Sequence, residues 1–180
     1  DQARGLLFNR KHTLLDPYAK AVTGQRNWGE KPEGGKDFVY KARVVQSDFD
    51  WGRYRNLNYK FEDLVIYEMH VRGFTKDASS GVKGGGTFEG LRQKIPYLKD
   101  LGINAVELMP IFEFDEMESA RVVDGVQLYN YWGYNTVSFF APNTSYAFHQ
   151  EHNHEGDELK RLIRELKENG IEVILDVVFN

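Results

Sequence analysis

Residues 171–178 have the sequence IEVILDVV, a short apolar run rich in β-branched residues that contains one aspartate, Asp176. Two similar runs precede it: LVIYEMH at residues 64–70 and NAVELMP at residues 104–110. Runs of this length and composition predict β-strands. Because few of their positions are polar, they predict strands buried on both faces, which is typical of a parallel sheet.

The segments between these runs predict helices. Thr87 is a favourable N-cap, and the apolar residues after it recur at helical spacing. Pro96 predicts a break with a second helical piece beginning there, and Gly102 predicts its end. A longer amphipathic helix, capped by Asp157 and closed by Gly170, precedes the third run. Strands that alternate with helices predict an α/β fold with a parallel sheet.

The rest of the chain has weaker patterns. Residues 1–60 predict an irregular segment with a helical turn ending at Gly24 and a strand at VYKARVV, residues 39–45. We expect this segment to pack against another part of the molecule. Residues 111–145 predict one long loop, of a length that compact domains keep mainly for function.

Composition excludes several classes of function. The chain has 180 residues, a net charge of −4 and no basic run, which argues against a nucleic-acid partner. No apolar run approaches membrane-spanning length, and the absence of cysteine excludes thiolate chemistry. The aromatic content of 14% fits either a large hydrophobic core or a surface of flat rings that stack on sugars.

Ligands of parallel α/β sheets bind at the carboxyl ends of the strands. The polar residues expected there are His70, Arg72, Glu113, Asp176 and Asn180. Asp176 allows two interpretations, because a carboxylate in an apolar strand is costly unless it is paired. It is a structural partner of an arginine or of backbone amides, a group that holds a polar substrate, or both.

The aromatic turn YWGYNT at residues 131–136 precedes the third predicted strand and can fold over the same edge of the sheet. Its Tyr134 lies between Gly133 and Asn135, and a ring beside a glycine can lie flat and exposed. Ordinary loop packing and a stacking platform for a sugar are both open for this tyrosine.

Two further patterns do not predict sites. One is a group of histidines and glutamates before the last helix: His149, Glu151, His152, His154 and Glu155. Its spacing matches no ligand set with a clear mechanism, so it predicts a solvated polar loop. The run GVKGGGT at residues 81–87 lacks the phosphate-binding endings and predicts a flexible loop. No complete set of catalytic residues can be assembled from the chain.

Five blocks occur in one order along the chain: LLFNRKHTLLDPYAKAVTG (6–24), VIYEMHVRGFT (65–75), YLKDLGINAVELMPIFEF (97–114), YWGYNTVSFFAPNTSYA (131–147) and GIEVILDVVFN (170–180). Together they resemble the isoamylase and glycogen-debranching branch of the α-amylase superfamily, glycoside hydrolase family 13. The resemblance covers essentially the whole chain and is more specific than any single motif.

The resemblance implies a partial (β/α)₈ TIM barrel. Residues 61–180 would be its first part, with three βα units and no strand after the third. Residues 1–60 would connect it to a preceding β-sandwich domain of carbohydrate-binding type. The catalytic carboxylates of the family come from later strands, so the chain would contain no catalytic residue and would be inactive in isolation.

The resemblance also implies roles for three residues. Tyr134 would stack on a glucose of the substrate, and Asp176 would hydrogen-bond near the reacting glucose. Asn180 matches a position that helps to bind calcium in many relatives, and no other cofactor is implied. We expect the unpaired edge of a three-stranded sheet to make the isolated chain self-associate.

The function implied is hydrolysis of α-1,6 branch points in glycogen, amylopectin or limit dextrin by a retaining double displacement. Alternatives are a pullulanase, an α-1,4-acting enzyme of the same fold, or a glucan-binding protein without catalysis. Neither a nucleic acid nor a membrane is expected as a partner. The implied location is the cytoplasm, or the plastid for a plant protein.

Overall fold

The computed structural model describes residues 2–5, 13–24, 26–31, 38–53, 55–149, 151 and 153–179. Its centre is a parallel three-stranded sheet in the order β1-β2-β7, with β1 at Ile66–Met69, β2 at Ala105–Leu108 and β7 at Glu172–Leu175. The three predicted strands therefore form and pair as a parallel α/β unit, as expected.

Within the described residues, four α-helices accompany this sheet: α1 (Val71–Thr75), α2 (Phe88–Arg92), α3 (Ile95–Leu101) and α4 (Glu155–Glu168). The Thr87 side chain accepts a hydrogen bond from the Gly90 backbone N–H, which confirms the predicted cap of α2. Pro96 lies in the first turn of α3, and Gly102 ends that helix with a φ of 83°. No helix in the described part of the chain is long and apolar enough to cross a membrane.

The predicted cap of α4 is wrong by one turn. The helix begins at Glu155, and Asp157 lies inside its first turn, where a carboxylate interacts favourably with the exposed N–H groups of the helix. Glu155 pairs with Arg43 at 2.6 Å, so an ion pair outside the helix accompanies the earlier start.

The single long loop predicted for residues 111–145 is also wrong. β3 (Phe112–Phe114) pairs with β6 (Thr136–Pro142) in an antiparallel ladder with register shifts. Between them, β4 (Arg121–Val123) and β5 (Val126–Leu128) form a hairpin. Its turn residues Asp124 and Gly125 have φ values of 50° and 79°, as the tight hairpin turn requires. Asp-Gly between apolar residues is a strong hairpin signal that the sequence already contained.

The first 60 residues are irregular where the structure describes them, as predicted. The expected strand at residues 39–45 is reduced to one isolated antiparallel bridge between Val22 and Ala42. In place of a helical turn, Asp16 and Pro17 begin a β-turn in which the Ala19 N–H donates to the Asp16 carbonyl at 3.1 Å.

This first segment packs against the α/β unit, as expected. The Tyr59 hydroxyl donates to the Gly170 carbonyl at 3.0 Å, and an Arg164 guanidinium N–H donates to the Asp50 carbonyl at 2.8 Å. The Trp28 ring packs against the main core cluster. Together with the Arg43–Glu155 pair, these contacts tie the segment to both ends of α4 and to the centre of the fold.

One face of the sheet packs on the helices. Its fully buried apolar partners include Phe88, Leu91, Leu98, Leu162 and Leu166. The opposite face carries the aligned residues Glu68, Glu107 and Ile174 and stays partly open, with Ile66 42% exposed. Among the described residues the sheet is therefore buried on one face only, where the sequence predicted two. Because side chains alternate along a strand, Asp176 belongs to the open face with Ile174.

Candidate functional site

Tyr134 and Asp176 meet at the carboxyl end of the sheet. Asp176 follows β7 directly, and its backbone N–H continues the ladder to the Leu108 carbonyl at 2.9 Å. The Tyr134 hydroxyl donates to Asp176 Oδ2 at 2.5 Å. The two residues that the sequence singled out are therefore in direct contact, although they lie 42 positions apart.

The contact also identifies the partner of the Asp176 carboxylate. Among the described residues it is a tyrosine hydroxyl, and not an arginine or backbone amides as one of the two interpretations had it. Charge-assisted hydrogen bonds of this kind are short and strong. The carboxylate is only partly buried and keeps lone pairs that face the open side of the sheet.

Tyr134 is held in its neutral form. The hydrogen bond to Asp176, followed by burial and by the negative charges of Asp176, Glu68 and Glu107, raises the pKa of Tyr134 to about 12. The phenol therefore remains a hydrogen-bond donor throughout the physiological pH range. The residue offers a partly exposed aromatic ring and a fixed hydroxyl, and it is not a nucleophile.

Gly133 places the tyrosine. Its φ is 83°, and a Cβ atom at this position would lie 2.7 Å from a ring carbon of Phe114. Only glycine combines this left-handed conformation with so close an approach to an aromatic ring. The turn can therefore press against β3 while the next residue, Tyr134, reaches Asp176.

His70 ties the aromatic turn to the end of β1. Its Nδ1 accepts a hydrogen bond from the Gly73 N–H at 3.1 Å, so the proton lies on Nε2, which donates to the Tyr131 carbonyl at 2.8 Å. The imidazole stacks on the Tyr131 ring with centroids 4.2 Å apart. Burial lowers the pKa of His70, which favours the neutral ring that this pattern requires.

An aromatic cluster supports the turn from below. Trp28 stacks on Tyr146 at 6.2 Å and contacts Phe114 and Tyr131 edge-on, each at 5.9 Å. Trp132 lies above this cluster and is 54% exposed. Sequence analysis missed Trp28, and its only signal was a lone tryptophan in a loop rich in glycine and charge.

Two buried glutamates lie beneath the same region. Glu113 Oε2 accepts the Thr144 N–H at 2.9 Å, and Glu116 Oε1 accepts the Gly29 N–H at 3.1 Å. Burial, the largest cause, raises the pKa of Glu113 to about 8 and that of Glu116 to about 7. Glu113 was expected at a ligand-facing strand end, and the structure instead places it inside the protein.

The residues considered for metal binding have other partners. The Glu158 carboxylate accepts the His149 N–H at 2.7 Å and lies 2.9 Å from His149 Nδ1. His154 Nε2 lies 3.2 Å from Glu151 Oε2. No group of three or more histidine, aspartate or glutamate side chains within the described residues could hold a metal ion. His152 and the calcium position predicted at Asn180 lie outside the described residues.

The arrangement is suited to binding. A partly exposed ring and a carboxylate that accepts hydrogen bonds stand together at the carboxyl end of parallel strands, where ligands of such sheets bind. The sequence also matches a known family model: residues 38–180 match the alpha amylase catalytic domain. The chain belongs to the alpha-amylase catalytic-domain family.

Relatives within the alpha-amylase family agree with this placement. The chain is 46% identical to isoamylase 3 of Oryza sativa subsp. japonica, a chloroplastic protein, over 98% of the chain and 23% of that relative. It is 36% identical to the glycogen operon protein GlgX homolog of Mycobacterium bovis, over 100% of the chain and 27% of that protein. The chain therefore spans about a quarter of the length of the relatives it matches.

A solved structure of the alpha-amylase family matches the fold. Pullulanase type I from Bacillus subtilis, in complex with maltose, superposes with a TM-score of 0.70 at 30% identity, over 92% of this chain and 23% of that one. The similarity supports the α/β architecture and the assignment of the three parallel strands to one part of a family barrel.

Proposed function

We propose that the whole protein to which this chain belongs is a debranching glycoside hydrolase that cleaves α-1,6 linkages in glycogen- or starch-type glucans. The observation that carries the proposal is the Tyr134–Asp176 pair at the carboxyl end of β7. It is supported by family membership and by relatives named isoamylase. The contribution of this chain is to bind and orient a glucose unit.

Each member of the pair has a part in that binding. The Tyr134 ring presents an apolar face on which a glucose ring can stack, with the hydroxyl fixed by Asp176. The remaining Asp176 lone pairs accept hydrogen bonds from sugar hydroxyls. Stacking fixes the plane of the sugar and the carboxylate fixes its rotation, so the pair holds one glucose in one orientation.

Bond cleavage is assigned to residues outside this chain. A retaining glycosidase uses two carboxyl groups about 5–5.5 Å apart, one as nucleophile and one as acid and base. We assign no residue of this chain to either part. The proposal predicts that the isolated chain binds glucan without hydrolysing it.

The proposed domain organisation assigns residues 61–180 to the first part of the barrel and residues 1–60 to a connection from a β-sandwich domain. The contacts of Tyr59 and Arg164 support the connecting role, since they tie the segment to the barrel part. We place the protein in the plastid if its source is a plant and in the cytoplasm if it is a bacterium.

The test is the release of reducing ends by the whole protein from amylopectin, pullulan and linear amylose in parallel. A debranching enzyme of the isoamylase type releases reducing ends from amylopectin and not from amylose. Attack on amylose would contradict the α-1,6 assignment. If no reducing ends are released from any of the three glucans while glucan binding is retained, the result would indicate a glucan-binding protein without hydrolase activity.

A second candidate is a pullulanase, because a solved structure that matches the fold is of that type. The two candidates differ in their action on pullulan, which a pullulanase attacks readily. Rates on pullulan that equal or exceed those on amylopectin would favour it. The binding role proposed for Tyr134 and Asp176 is the same in both cases.

A further inference from the structure

A cavity of about 450 Å³ lies against Trp28. Its wall is formed by residues 26–28 and 30, by Arg72 of α1 and the helix C-cap Lys76, by the glycine-rich residues 85–87, and by residues 145, 147 and 148. Four charged residues line it: Arg26, Glu30, Arg72 and Lys76. Three of these four residues are cationic, although the chain as a whole has a net charge of −4.

Arg72 and Lys76 converge on one glycine. A Cβ atom on Gly86 would lie 3.2 Å from Lys76 Cδ, 3.3 Å from Arg72 Cγ and 3.4 Å from Arg72 Nη1. Gly86 has a φ of 88°, and its N–H donates to the Thr75 hydroxyl at 2.8 Å, which fixes the loop. The glycine therefore allows two like-charged side chains to lie side by side along the cavity wall.

These two cations have no counter-ion within the residues that the structure describes. Neither Arg72 nor Lys76 forms an ion pair with a described carboxylate. Glu116 acts on Arg72 at longer range, but its carboxylate is held by the Gly29 N–H. Like charges at this spacing repel each other, so an anion between them would relieve an unfavourable interaction.

The Arg72 side chain is held in place by an aromatic ring. Its guanidinium lies over the Trp28 ring, 4.6 Å from the centroid, which restricts the side chain without using its N–H donors. A planar guanidinium with free donors matches the oxygens of a phosphate, and a lysine adds a mobile point charge. The hydroxyl-bearing residues Thr87 and Ser145 also line the cavity.

We propose that this cavity binds a phosphate monoester. Arg72 and Lys76 bring two positive charges to one part of the wall, which the two charges of a phosphate dianion match, whereas a carboxylate carries only one. Because Trp28 contacts both Arg72 and Tyr131, the cavity adjoins the surface proposed for glucan binding. The phosphate is either carried by a glucose of the glucan, which rests on the proposed function, or belongs to a free sugar phosphate.

The test begins with inorganic phosphate titrated into the whole protein by calorimetry, for the wild type, Lys76→Ala and the control Lys83→Ala. Lys83 is an exposed lysine of the same loop region that does not line the cavity. We expect Lys76→Ala to weaken phosphate binding at least about fivefold and Lys83→Ala to leave it within about twofold. Arg72→Lys, which keeps the charge and loses the planar fork, should weaken it severalfold.

A second arm compares the binding of a phosphorylated glucan before and after phosphatase treatment. Weaker binding after treatment, in the wild type but not in Lys76→Ala, would identify the glucan as the source of the phosphate. Equal binding together with phosphate affinity that depends on Lys76 would identify a free sugar phosphate. No phosphate binding, or binding that Lys76→Ala leaves unchanged, would overturn the proposal. None of these measurements depends on hydrolysis, so they stand apart from the proposed activity.

Discussion

At the scale of single residues, the ring and the hydroxyl of Tyr134 make separable contributions. Tyr134→Phe removes the hydrogen bond to Asp176 and keeps the ring, whereas Tyr134→Ala removes both. We expect kcat/KM on a branched glucan to fall about threefold for Phe and at least tenfold for Ala, since about 1.4 kcal/mol corresponds to a factor of ten. Equal losses in the two variants would contradict a stacking role for the ring.

Glu113 makes stability depend on pH. Burial raises its pKa to about 8 from an ordinary value of 4.5, because the folded protein favours the neutral acid. Its contribution to the free energy of unfolding is complete below about pH 4.5 and is lost as the pH rises through about 8. Thermal unfolding should therefore shift to lower temperature between about pH 5 and about pH 8.5.

Glu113→Gln tests the origin of this dependence. The amide keeps an oxygen acceptor for the Thr144 N–H and cannot ionise. We expect the variant to lose part of the pH dependence and to melt above the wild type at about pH 8.5. Glu62→Gln, at an exposed glutamate, is the control and should leave the dependence of the melting temperature on pH unchanged. If the melting temperature changes with pH in the same way in the wild type and in Glu113→Gln, the pH dependence does not come from Glu113.

Residues were predictable where a local motif marked them. Tyr134 and Asp176 stand in distinctive short stretches, and the fold brings them together. Trp28 and Glu113 were missed or misplaced because their surroundings are made by residues about 30 to 120 positions away. Burial of a carboxylate on a short strand inside a presumed loop leaves no periodic signal in the sequence.

At the scale of elements, α4 is attached through one apolar face. Leu162 is fully buried against the sheet and α2, whereas Leu101 at the end of α3 is 48% exposed. Leu162→Ala should lower the free energy of unfolding by about 2–5 kcal/mol, and Leu101→Ala by less than about 1 kcal/mol. Chemical denaturation measures both, and similar losses would contradict the assigned packing.

His70 couples α1 to the aromatic turn. His70→Ala removes the acceptor for the Gly73 N–H and the donor to the Tyr131 carbonyl. We expect KM for glucan to rise severalfold while kcat changes little, because the turn that carries Tyr134 loses its anchor. His70→Gln supplies one acceptor and one donor and should recover part of the loss. A lower kcat with an unchanged KM would contradict an anchoring role.

The elements that were predicted correctly have strong periodicity or clear caps. The three parallel strands and the pieces around Pro96 follow from such signals. The hairpin of β4 and β5 and the β3–β6 ladder were predicted as loop. β3, β4 and β5 have three residues each, which is too short for a periodic pattern, whereas the seven-residue β6 and the Asp-Gly turn were signals that the prediction missed. The helix α4 begins one turn earlier than predicted, and its first residue, Glu155, pairs with Arg43 in a contact 112 positions apart that the local sequence does not mark.

At the scale of the whole molecule, the sheet has an open side. β1 and β7 each pair with β2 only, and the face opposite the helices is partly exposed among the described residues. Unpaired strand edges promote association. We expect the 180-residue chain expressed alone to form oligomers or mixed assemblies in light scattering after size exclusion. A monodisperse monomer with one cooperative melting transition would contradict this expectation.

The most direct test of the central claim is the rate of reducing-end release from amylopectin by the whole protein carrying Asp176→Asn. The substitution keeps the shape of the side chain and removes the charge that holds Tyr134 and faces the substrate. Asp100→Asn, at an exposed position on α3, is the matched control. We expect a loss in kcat/KM of at least about tenfold for Asp176→Asn and none for the control. Wild-type rates from Asp176→Asn would contradict it.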